Sequence, residues 1–315
     1  MFRLQVLESV DSTNEVIKRA IEDGEPEGLA IRAYRQTGGY GRQGRAWKSP
    51  RGGMYESILL RPEVEMRELP TLALVVAIAV RRALASLVVD DQARRICIKW
   101  PNDVVLVGGD FGADCSTRDT ALELGGHTPC SDGPALENSP LGCSRRAELR
   151  AAHARQAQGL QASRTNAPSI KSLYSKLAGI SSEVHAGGIC VGIGVNVEPP
   201  EDAMEVGGKN APAYLADLGF GFTCECEAAI NAVGDAVLHE FEPLYRRWCD
   251  GGFAALSGEF AEHSMLEGRF VRMANQLGEV VCEGTVCGVD ASGRLLLRLE
   301  DGETKAVASG EVHLL

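Results

Sequence analysis

Short alternations of hydrophobic and polar residues mark β-strands in the first sixty residues. Three segments there are predicted to be strands: residues 2–7, 29–35 and 54–60. Between the first two, Ser12 is followed three positions later by Glu15, which is the spacing of a capping box. A helix is therefore predicted from about Thr13 to Asp23, ending at Gly24.

Longer apolar stretches and further strands follow along the rest of the chain. Residues 70–89 are rich in Leu, Val and Ala, which is typical of a core helix, and Pro70 suits its first turn. More strands are predicted on both sides of residues 99–103, after Tyr174, and over 189–197. Helices at 223–249 and about 253–263 precede five short strands: 269–274, 280–289, 294–300, 304–308 and 312–315. About fifty residues of short strands with tight turns predict a small closed barrel.

The pattern changes in the middle of the chain. From residue 108 to about 172 the sequence is rich in Gly, Pro, Ser, Cys and Ala, and too polar to bury much apolar surface. We therefore interpret residues 109–172 as a surface insertion that is disordered in large part. The predicted organisation is a large domain over residues 1–265, which contains this insertion, and a small domain over residues 266–315.

Composition and charge narrow the class of protein. Of the 315 residues, 44% are hydrophobic and 24% charged, which is ordinary for a globular protein, and the net charge is −11. So acidic a chain is unsuited to nonspecific nucleic-acid binding, which needs surplus Lys and Arg. We expect no apolar run of membrane-spanning length and no signal peptide. The ten cysteines have no framework spacing, so reduced thiols and a cytoplasmic location are expected.

The candidate chemistry begins in a glycine-rich loop. Residues 35–53 read RQTGGYGRQGRAWKSPRGG and contain six glycines, five cations and no acid. Glycines let backbone N–H groups converge into a concave nest, and arginines add fork-shaped donors. A positive loop in an acidic protein therefore indicates an anionic ligand, such as a nucleotide phosphate or a carboxylate.

Two common phosphate-binding motifs are excluded in this loop. Gly39, Gly41 and Gly44 spell G-x-G-x-x-G, but the dinucleotide fingerprint needs an apolar helix directly afterwards. The chain continues instead with RAWKSP over residues 45–50, which cannot form such a helix. The Gly-Lys-Ser/Thr ending of a P-loop is also missing. A nucleotide-dependent oxidoreductase is therefore rejected.

Three smaller features have two interpretations each. Local evidence makes Ser12 an N-cap, while its neighbours can offer hydrogen bonds to a ligand at a positive helix end. Taken alone, the KWPND run from Lys99 to Asp103 is a plain turn, although its cation, ring, amide and carboxylate also suit a ribose, a base or Mg²⁺. Asn196 is a lone polar residue in an apolar strand, and it either satisfies a structural hydrogen bond or faces a ligand.

Five motifs in sequence order resemble one family. They are Ser12-Thr13-Asn14, GYGRQGRAWKSPRGGMYESILLRP from Gly39, KWPND from Lys99, KLAGI from Lys176 and VGIGVN from Val191. Together they resemble the biotin–protein ligases, or holocarboxylase synthetases, of the type without a DNA-binding domain. The resemblance covers most of residues 1–200 outside the insertion and extends more weakly to the terminal barrel.

The resemblance implies an activity, a fold and partners. Such enzymes activate biotin with ATP to biotinyl-5′-AMP, release pyrophosphate, and transfer biotin to one lysine of a carrier domain. The implied fold is α+β, with a mixed, mostly antiparallel sheet like that of class II synthetases, helices on one side, and an SH3-like barrel after it. The implied ligands are ATP, Mg²⁺ and biotin, and the implied partner is a biotin carboxyl carrier protein domain of a biotin-dependent carboxylase. Neither DNA nor a membrane is an expected partner, and a homodimer is left open.

The resemblance also implies roles for individual residues. Arg42 and Lys176 are the implied catalytic residues, because both would stabilise charge on the α-phosphate. The implied biotin-binding residues are Ser12, Thr13, Asn14, Gln36, Gly39, Tyr40, Gly41, Arg42, Lys176 and Gly179. The implied ATP-binding residues are Arg42, Arg45, Trp47, Lys99, Asn102, Asp103, Lys176 and Asn196. Asp103 is also the implied ligand of Mg²⁺.

The chain departs from the family pattern at three points. Tyr40 and Gln43 stand where family loops often carry arginines, so retention of the intermediate is expected to differ. The insertion separates KWPND from KLAGI, which a short turn usually joins. No helix-turn-helix is expected before Ser12, and therefore no repressor function. Two alternatives stay open: a lipoate–protein ligase of the same superfamily, which lacks the GRQGRxW and KWPND signatures, and a catalytically inactive biotin-binding protein.

Overall fold

The computed structural model describes five stretches of the chain: residues 2–108, 173–200, 211–220, 226–275 and 277–315. The predicted insertion at 109–172 lies outside the described residues, so its interpretation stays a prediction. The described residues of the large and small domains form one compact unit, and the boundary placed at residue 265 also stays a prediction.

The sheet of the large domain is mixed and mostly antiparallel, as predicted. Its strands in the described residues are β1 (Arg3–Leu7), β2 (Leu29–Ala33), β3 (Gly53–Leu60), β4 (Ile96–Lys99), β5 (Asp103–Val107), β6 (Tyr174–His185) and β7 (Gly188–Asn196). Their order across the sheet is β1-β2-β3-β7-β6-β5-β4. β1 runs parallel to β2, and the other neighbouring pairs are antiparallel.

Helices cover both faces of this sheet. They are α1 (Thr13–Glu22), α2 (Leu72–Ser86), α3 (Asp90–Ala93), α4 (Cys226–Gly251) and α5 (Ser257–Glu262). Ile17 and Ile21 of α1 pack with Leu59 on one face, whereas Val76 of α2 shares the main core with Ile58. The expectation of helices on one side is therefore wrong. Ile58 and Leu59 are adjacent in β3, so their apolar side chains point to opposite faces of the sheet. Each face must therefore be covered by a helix.

Helix α1 begins at the predicted residue, but without the predicted capping box. In the described structure, Ser12 makes no side-chain hydrogen bond to the helix, and its N–H donates to Asp11 Oδ1 at 2.8 Å. The Glu15 carboxylate, which would complete the box, instead accepts a hydrogen bond from the Tyr40 hydroxyl at 2.5 Å. A tertiary partner in the glycine-rich loop has therefore replaced the local one.

Helix α2 lies in the hydrophobic centre of the large domain, as its composition predicted. With the turn before it, the stretch Leu69–Ser86 has a mean hydropathy of 1.6 and is long enough to cross a membrane. The expectation that no apolar run reaches this length is therefore wrong. Inside the described fold, 61% of the stretch is buried, including Val76 and Val80, which is the burial of a core helix.

Five antiparallel strands form the small domain, in agreement with the predicted barrel. They are β8 (Phe270–Ala274), β9 (Val280–Val289), β10 (Leu295–Arg298), β11 (Thr304–Val307) and β12 (Glu311–Leu314), in the order β11-β10-β9-β8-β12. Val271, Val286 and Leu295 are buried in its interior. The indole N–H of Trp100 donates to the Gly293 carbonyl at 2.9 Å, which ties this domain to the KWPND turn.

Candidate functional site

A cleft of about 1080 Å³ opens on the α1 face of the large sheet, and glycines form its floor. Gly194 of β7 pairs with Gly179 of β6, and Gly192 follows on the same face of β7. A Cβ at Gly192 would come within 3.0 Å of Asn14 Oδ1 and Ser181 Oγ, closer than real Cβ atoms approach. The glycines therefore let the side chains that line the cleft lie directly against one face of the two strands.

Uncharged polar groups line one end of this cleft. The Thr13 N–H donates to Gln36 Oε1 at 2.8 Å, and the Gln36 amide donates to Ser49 Oγ at 2.9 Å. Ser57 Oγ lies 2.7 Å from both Thr13 Oγ1 and Asn14 Oδ1. These partners fix the orientation of each amide and hydroxyl, so this end presents donors and acceptors without net charge. Such a set suits a neutral polar ring such as a cyclic urea.

The glycine-rich loop forms a short hairpin over the cleft. Gln36 pairs with Ser49 and Tyr40 pairs with Ala46, and Arg42–Gly44 form one tight turn at the tip. The Gly41 N–H donates to the Arg45 carbonyl at 2.8 Å, so it is used inside the hairpin. The expected nest of N–H groups converging on a ligand is therefore wrong at Gly41, because the cross-hairpin pairing takes up its donor.

Three cations gather around one carboxylate at the other end of the cleft. Lys176 Nζ lies 2.7 Å from Asp103 Oδ1, and Arg42 Nη1 donates to Asn102 Oδ1 at 3.0 Å. Burial lowers the pKa of Lys99, against the opposing charge of Asp103. Burial likewise lowers the pKa of Arg42, and Asp103 again opposes the shift. With three cations to one anion, this end favours a ligand that carries negative charge.

The Trp47 ring lies flat on the glycine floor between these two ends. A Cβ at Gly194 or at Gly179 would come 3.0 Å from the ring. Lys176 Nζ sits 4.8 Å from the ring centroid, which is a cation–π contact. The indole N–H is buried and has no hydrogen-bond acceptor among the residues that the structure describes. Trp47 therefore offers an aromatic face to a ligand, and its buried indole N–H is an unsatisfied donor within the described residues.

The small domain contributes to the mouth of the cleft, which the sequence did not indicate. Its lining residues there are Asn275, Leu277, Gly278, Ser309, Gly310, Glu311, Val312 and His313. Arg45 Nη2 of the hairpin lies 2.6 Å from Glu311 Oε1. No local pattern marks Glu311, because its partner is distant in the chain.

Most of the predicted site residues line this one cleft. They are Thr13, Asn14, Gln36, Tyr40, Gly41, Arg42, Arg45, Trp47, Lys99, Asn102, Asp103, Lys176, Gly179 and Asn196. Ser12 and Gly39 are outside the described lining: Ser12 is buried at the start of α1, and Gly39 packs at the base of the hairpin against Ser49. Asn196 donates a structural hydrogen bond to the Lys176 carbonyl at 3.0 Å and also lines the cleft. The structure is therefore compatible with both interpretations of this residue. The individual binding roles stay predictions.

The residues that the sequence analysis missed fall into two groups. Ser57 holds Asn14 in place, Ser181 lines the cleft beside Gly192, and Gly192 and Gly194 form the floor. The two glycines had a readable signal, because VGIGVN places them on one face of a strand at a period of two. The serines had none, since isolated serines in strands are common.

A Mg²⁺ ion held by protein ligands alone does not fit this cleft. Asp103 is paired with Lys176, and its neighbour Asn102 accepts from Arg42. Within the described residues there is no group of three or more His, Cys, Asp or Glu that could hold a metal. Mg²⁺ usually keeps several waters and binds through substrate phosphates, so a nucleotide substrate would bring the ion into the cleft.

Comparisons with known families match both ends of the chain. Residues 6–112 match the Biotin/lipoate A/B protein ligase family, and residues 268–315 match the Biotin protein ligase C terminal domain. The first match contains the hairpin and the KWPND turn. The second contains Glu311 and the rest of the small domain that reaches the cleft.

Relatives extend the similarity over nearly the whole chain. The bifunctional ligase/repressor BirA of Bacillus spizizenii is 23% identical over 313 residues, which cover 97% of this chain and 72% of the relative. The biotin–[acetyl-CoA-carboxylase] ligase of Mycobacterium tuberculosis is 24% identical over 99% of this chain and 89% of its own. The biotin protein ligase of Aquifex aeolicus in complex with biotin and ATP has the same fold, with a TM-score of 0.63, 23% identity, and coverage of 100% of this chain and 99% of that one. Residues 6–112 and 268–315 thus match the two domains of biotin protein ligases, and the described fold is that of a biotin protein ligase.

Proposed function

We propose that this chain is an ATP-dependent ligase that forms biotinyl-5′-AMP and transfers biotin to a lysine of a biotin carboxyl carrier domain. One observation carries the proposal: a neutral polar end and a cationic end lie in the same cleft, joined by a glycine floor. The neutral end suits the ureido ring of biotin, and the cationic end suits a carboxylate beside a polyphosphate. The named activity of the Mycobacterium tuberculosis relative supports the same substrate.

In the first step, a carboxylate oxygen of biotin attacks the α-phosphorus of ATP, and pyrophosphate leaves with the electron pair of the broken P–O bond. Carboxylate and polyphosphate repel each other, so cations must offset both charges before they meet. Arg42 and Lys176 are the proposed groups, since both line the cleft. Lys176 would exchange the Asp103 carboxylate for the α-phosphate and stabilise its growing charge.

In the second step, the ε-amine of an acceptor lysine attacks the acyl carbonyl of biotinyl-AMP. AMP leaves, an amide forms, and the amine loses its proton to solvent. The mixed anhydride is prone to hydrolysis, so the hairpin that covers the cleft would protect it from water. Mg²⁺ would come bound to the ATP substrate and would offset negative charge on the leaving pyrophosphate.

The direct test is a search for the intermediate. The protein is incubated with ATP, Mg²⁺ and biotin, and biotinyl-AMP is measured by mass together with pyrophosphate release. A parallel reaction contains lipoate, because the family model that matches residues 6–112 covers both acids. Adenylate from biotin alone supports the proposal. Adenylate from lipoate alone favours the lipoate ligase, and no pyrophosphate with either acid indicates an inactive binding protein.

Substitution of the two proposed catalytic cations tests the mechanism. Arg42→Ala and Lys176→Ala are each expected to slow biotin-dependent ATP–pyrophosphate exchange by roughly 100-fold or more, because each removes charge stabilisation of the transition state. Arg67→Ala is the control, since Arg67 is an exposed cation paired with Glu65. Thermal melting of all three variants separates misfolding from loss of chemistry. Exchange at the normal rate in either cleft variant would contradict the assigned roles.

A further inference from the structure

The Tyr40 hydroxyl lies between two residues of helix α1. It accepts a hydrogen bond from Lys18 Nζ at 2.8 Å and donates one to Glu15 Oε1 at 2.5 Å. Lys18 Nζ also sits 5.1 Å from the centroid of the Tyr40 ring. These contacts fix both the ring and the hydroxyl of Tyr40. Tyr40 belongs to the hairpin and lies two residues before Arg42, so they also fix the hairpin near its tip.

Lys18 extends this cluster to the sheet. Its Nζ lies 2.7 Å from Glu183 Oε2 of β6, and the side chains of Lys18 and Glu183 are only 18% and 33% exposed. Such partly buried ion pairs are screened by salt less than surface pairs are. The four groups therefore connect three segments that are distant in sequence: the hairpin, α1 and β6.

Tyr40 and Lys18 keep their protonation states over the physiological range. Burial and the hydrogen bond to Glu15 raise the pKa of Tyr40 to about 12, so the phenol stays neutral and able to donate. Burial alone would lower the pKa of Lys18, but its hydrogen bonds to Glu183 and Tyr40 raise it overall. The ammonium group of Lys18 therefore stays charged and available to both Tyr40 and Glu183.

The cluster lies directly beside the proposed catalytic cation. Tyr40 and Arg42 both line the main cleft, and both also line a smaller cavity of about 420 Å³ whose other walls include Lys18 and Glu183. The cluster therefore lies where the two cavities adjoin, next to Arg42. If it were lost, the hairpin would keep its internal pairing but lose its attachment to α1 and β6 on this side.

We propose that Tyr40, Lys18 and Glu183 are positioning residues for the reaction proposed above. They hold the glycine-rich hairpin against α1 and β6, so that Arg42 faces Asn102 and Asp103 and the acyl-adenylate stays enclosed until an acceptor arrives. The catalytic half of this inference rests on the proposed function, whereas the attachment of the hairpin does not.

The same helix and strand provide a matched control. Glu22 of α1 lies 2.7 Å from His185 Nε2 of β6, in a more exposed contact that joins the same helix and strand. Glu22→Gln therefore weakens an α1–β6 contact away from Tyr40. The behaviour of this variant shows what happens when α1 is held less tightly to the sheet while the hairpin keeps its contacts with Lys18 and Glu15.

The first experiment is limited trypsin digestion of the protein without ligands, with fragments identified by mass. The variants are Tyr40→Phe, Lys18→Met, Glu183→Gln and the control Glu22→Gln. Cleavage after Arg42 and Arg45 is expected to speed up about tenfold in the first three, which is the effect of losing one hydrogen bond to a charged group. It is expected to be unchanged in Glu22→Gln. Equal cleavage of Arg42 and Arg45 in all variants and wild type overturns the proposal.

The second experiment measures retention of the intermediate. Each protein is loaded with biotin and MgATP, passed rapidly through a desalting column, and assayed for released biotinyl-AMP and for biotin on lysines of added serum albumin. Release and albumin labelling are expected to rise several-fold in Tyr40→Phe, Lys18→Met and Glu183→Gln. The KM for biotin should rise while kcat stays closer to wild type than in Arg42→Ala.

The outcomes separate this inference from the proposed function. Faster cleavage with unchanged release overturns the positioning role. The double variant Lys18→Met/Glu183→Gln should release no faster than either single variant, because both disrupt one cluster, and additive effects contradict this. If wild type forms no adenylate at all, the proposed function fails, and the trypsin result still decides whether the cluster attaches the hairpin.

Discussion

At the scale of single residues, the absence of side chains determines where a ligand can lie. Because Gly179, Gly192 and Gly194 have no side chains, Trp47 and Asn14 lie directly against the sheet, and Ser57 restricts the rotation of Asn14. Asn14 is the clearest case, because its Oδ1 lies 2.7 Å from Ser57 Oγ beside the space above Gly192. A methyl group in that space has no room without moving Asn14.

Gly192→Ala is therefore expected to weaken biotin binding at least tenfold, because the added Cβ would displace Asn14 and Ser181. The cost in stability should be about 1–3 kcal/mol, as for other overpacked sites. Val191→Ala is the control, since Val191 is buried on the opposite face of β7 and should lower stability without changing affinity. Calorimetric titration with biotin and thermal melting of both variants provide the check. Normal affinity in Gly192→Ala would show that biotin does not use this floor.

At the scale of elements, most of the described strands and helices follow from the sequence to within a few residues, but the short helix α3 was not predicted. Alternation and apolar runs are local properties, so β9 has the predicted bounds and α1 begins at the predicted residue. Which face a helix covers depends on the order of strands in the sheet, and no local pattern contains that order. For the same reason the sequence predicted an open nest of N–H groups in this loop, whereas the Gly41 N–H is bonded across the hairpin to the Arg45 carbonyl.

Helix α4 shows how one buried ion pair sets the spacing between a helix and the sheet. Arg32 of β2 is fully buried, with its Nε 2.8 Å from Glu56 Oε2 and its Nη1 2.9 Å from Asp235 Oδ1. α4 passes over the guanidinium at Gly234. Burial raises the pKa of Glu56 to about 7 although Arg32 opposes the shift, so the desolvation cost is large even for this paired carboxylate.

Gly234→Ala is expected to destabilise the protein by about 1–3 kcal/mol, because the added Cβ would come within 3.0 Å of the Arg32 guanidinium. Helix propensity alone would predict the opposite change, because it favours Ala over Gly by about 1 kcal/mol in a helix interior. Gly258→Ala in α5 is the matched control, since a Cβ there meets nothing within 4 Å and should be neutral or stabilising. Urea unfolding of both variants measures the difference. Equal stabilisation by the two substitutions would contradict the close packing at Arg32.

At the scale of the whole molecule, the cleft is completed by contacts between distant parts of the chain. The resemblance found Arg42, Asp103 and Lys176, because each lies in a recognisable motif, and the structure brings them to one end of the cleft. The contribution of the small domain was missed, because the contact between Arg45 and Glu311 joins segments with no shared pattern. Sequence motifs thus identify the charged and polar side chains of the cleft. The residues that surround those side chains depend on how the domains pack, which no motif contains.

The position of the insertion leads to a prediction about the whole chain. β5 and β6 are antiparallel neighbours, Val107 pairs with Tyr174, and the Gly108 N–H donates to the Leu173 carbonyl at 3.2 Å. Gly108 and Leu173, which flank residues 109–172 in the sequence, therefore lie side by side at the end of β5 and β6. The KWPND turn is at the opposite end of β5, so a change at Gly108 and Leu173 leaves Asn102 and Asp103 undisturbed.

Replacement of residues 109–172 by Asn-Gly is expected to keep both the fold and the chemistry, because a two-residue turn of this type joins antiparallel strands directly. Shortening the connection also lowers the entropy of the unfolded chain, so the melting temperature should stay equal or rise slightly. Thermal melting and ATP–pyrophosphate exchange with biotin test the shortened protein, with an Ala-Pro linker as the control for a poor turn. A folded Asn-Gly variant that no longer forms biotinyl-AMP would show that the insertion takes part in the reaction. Normal exchange together with slower transfer to a carrier domain would instead assign the insertion to recognition of the acceptor.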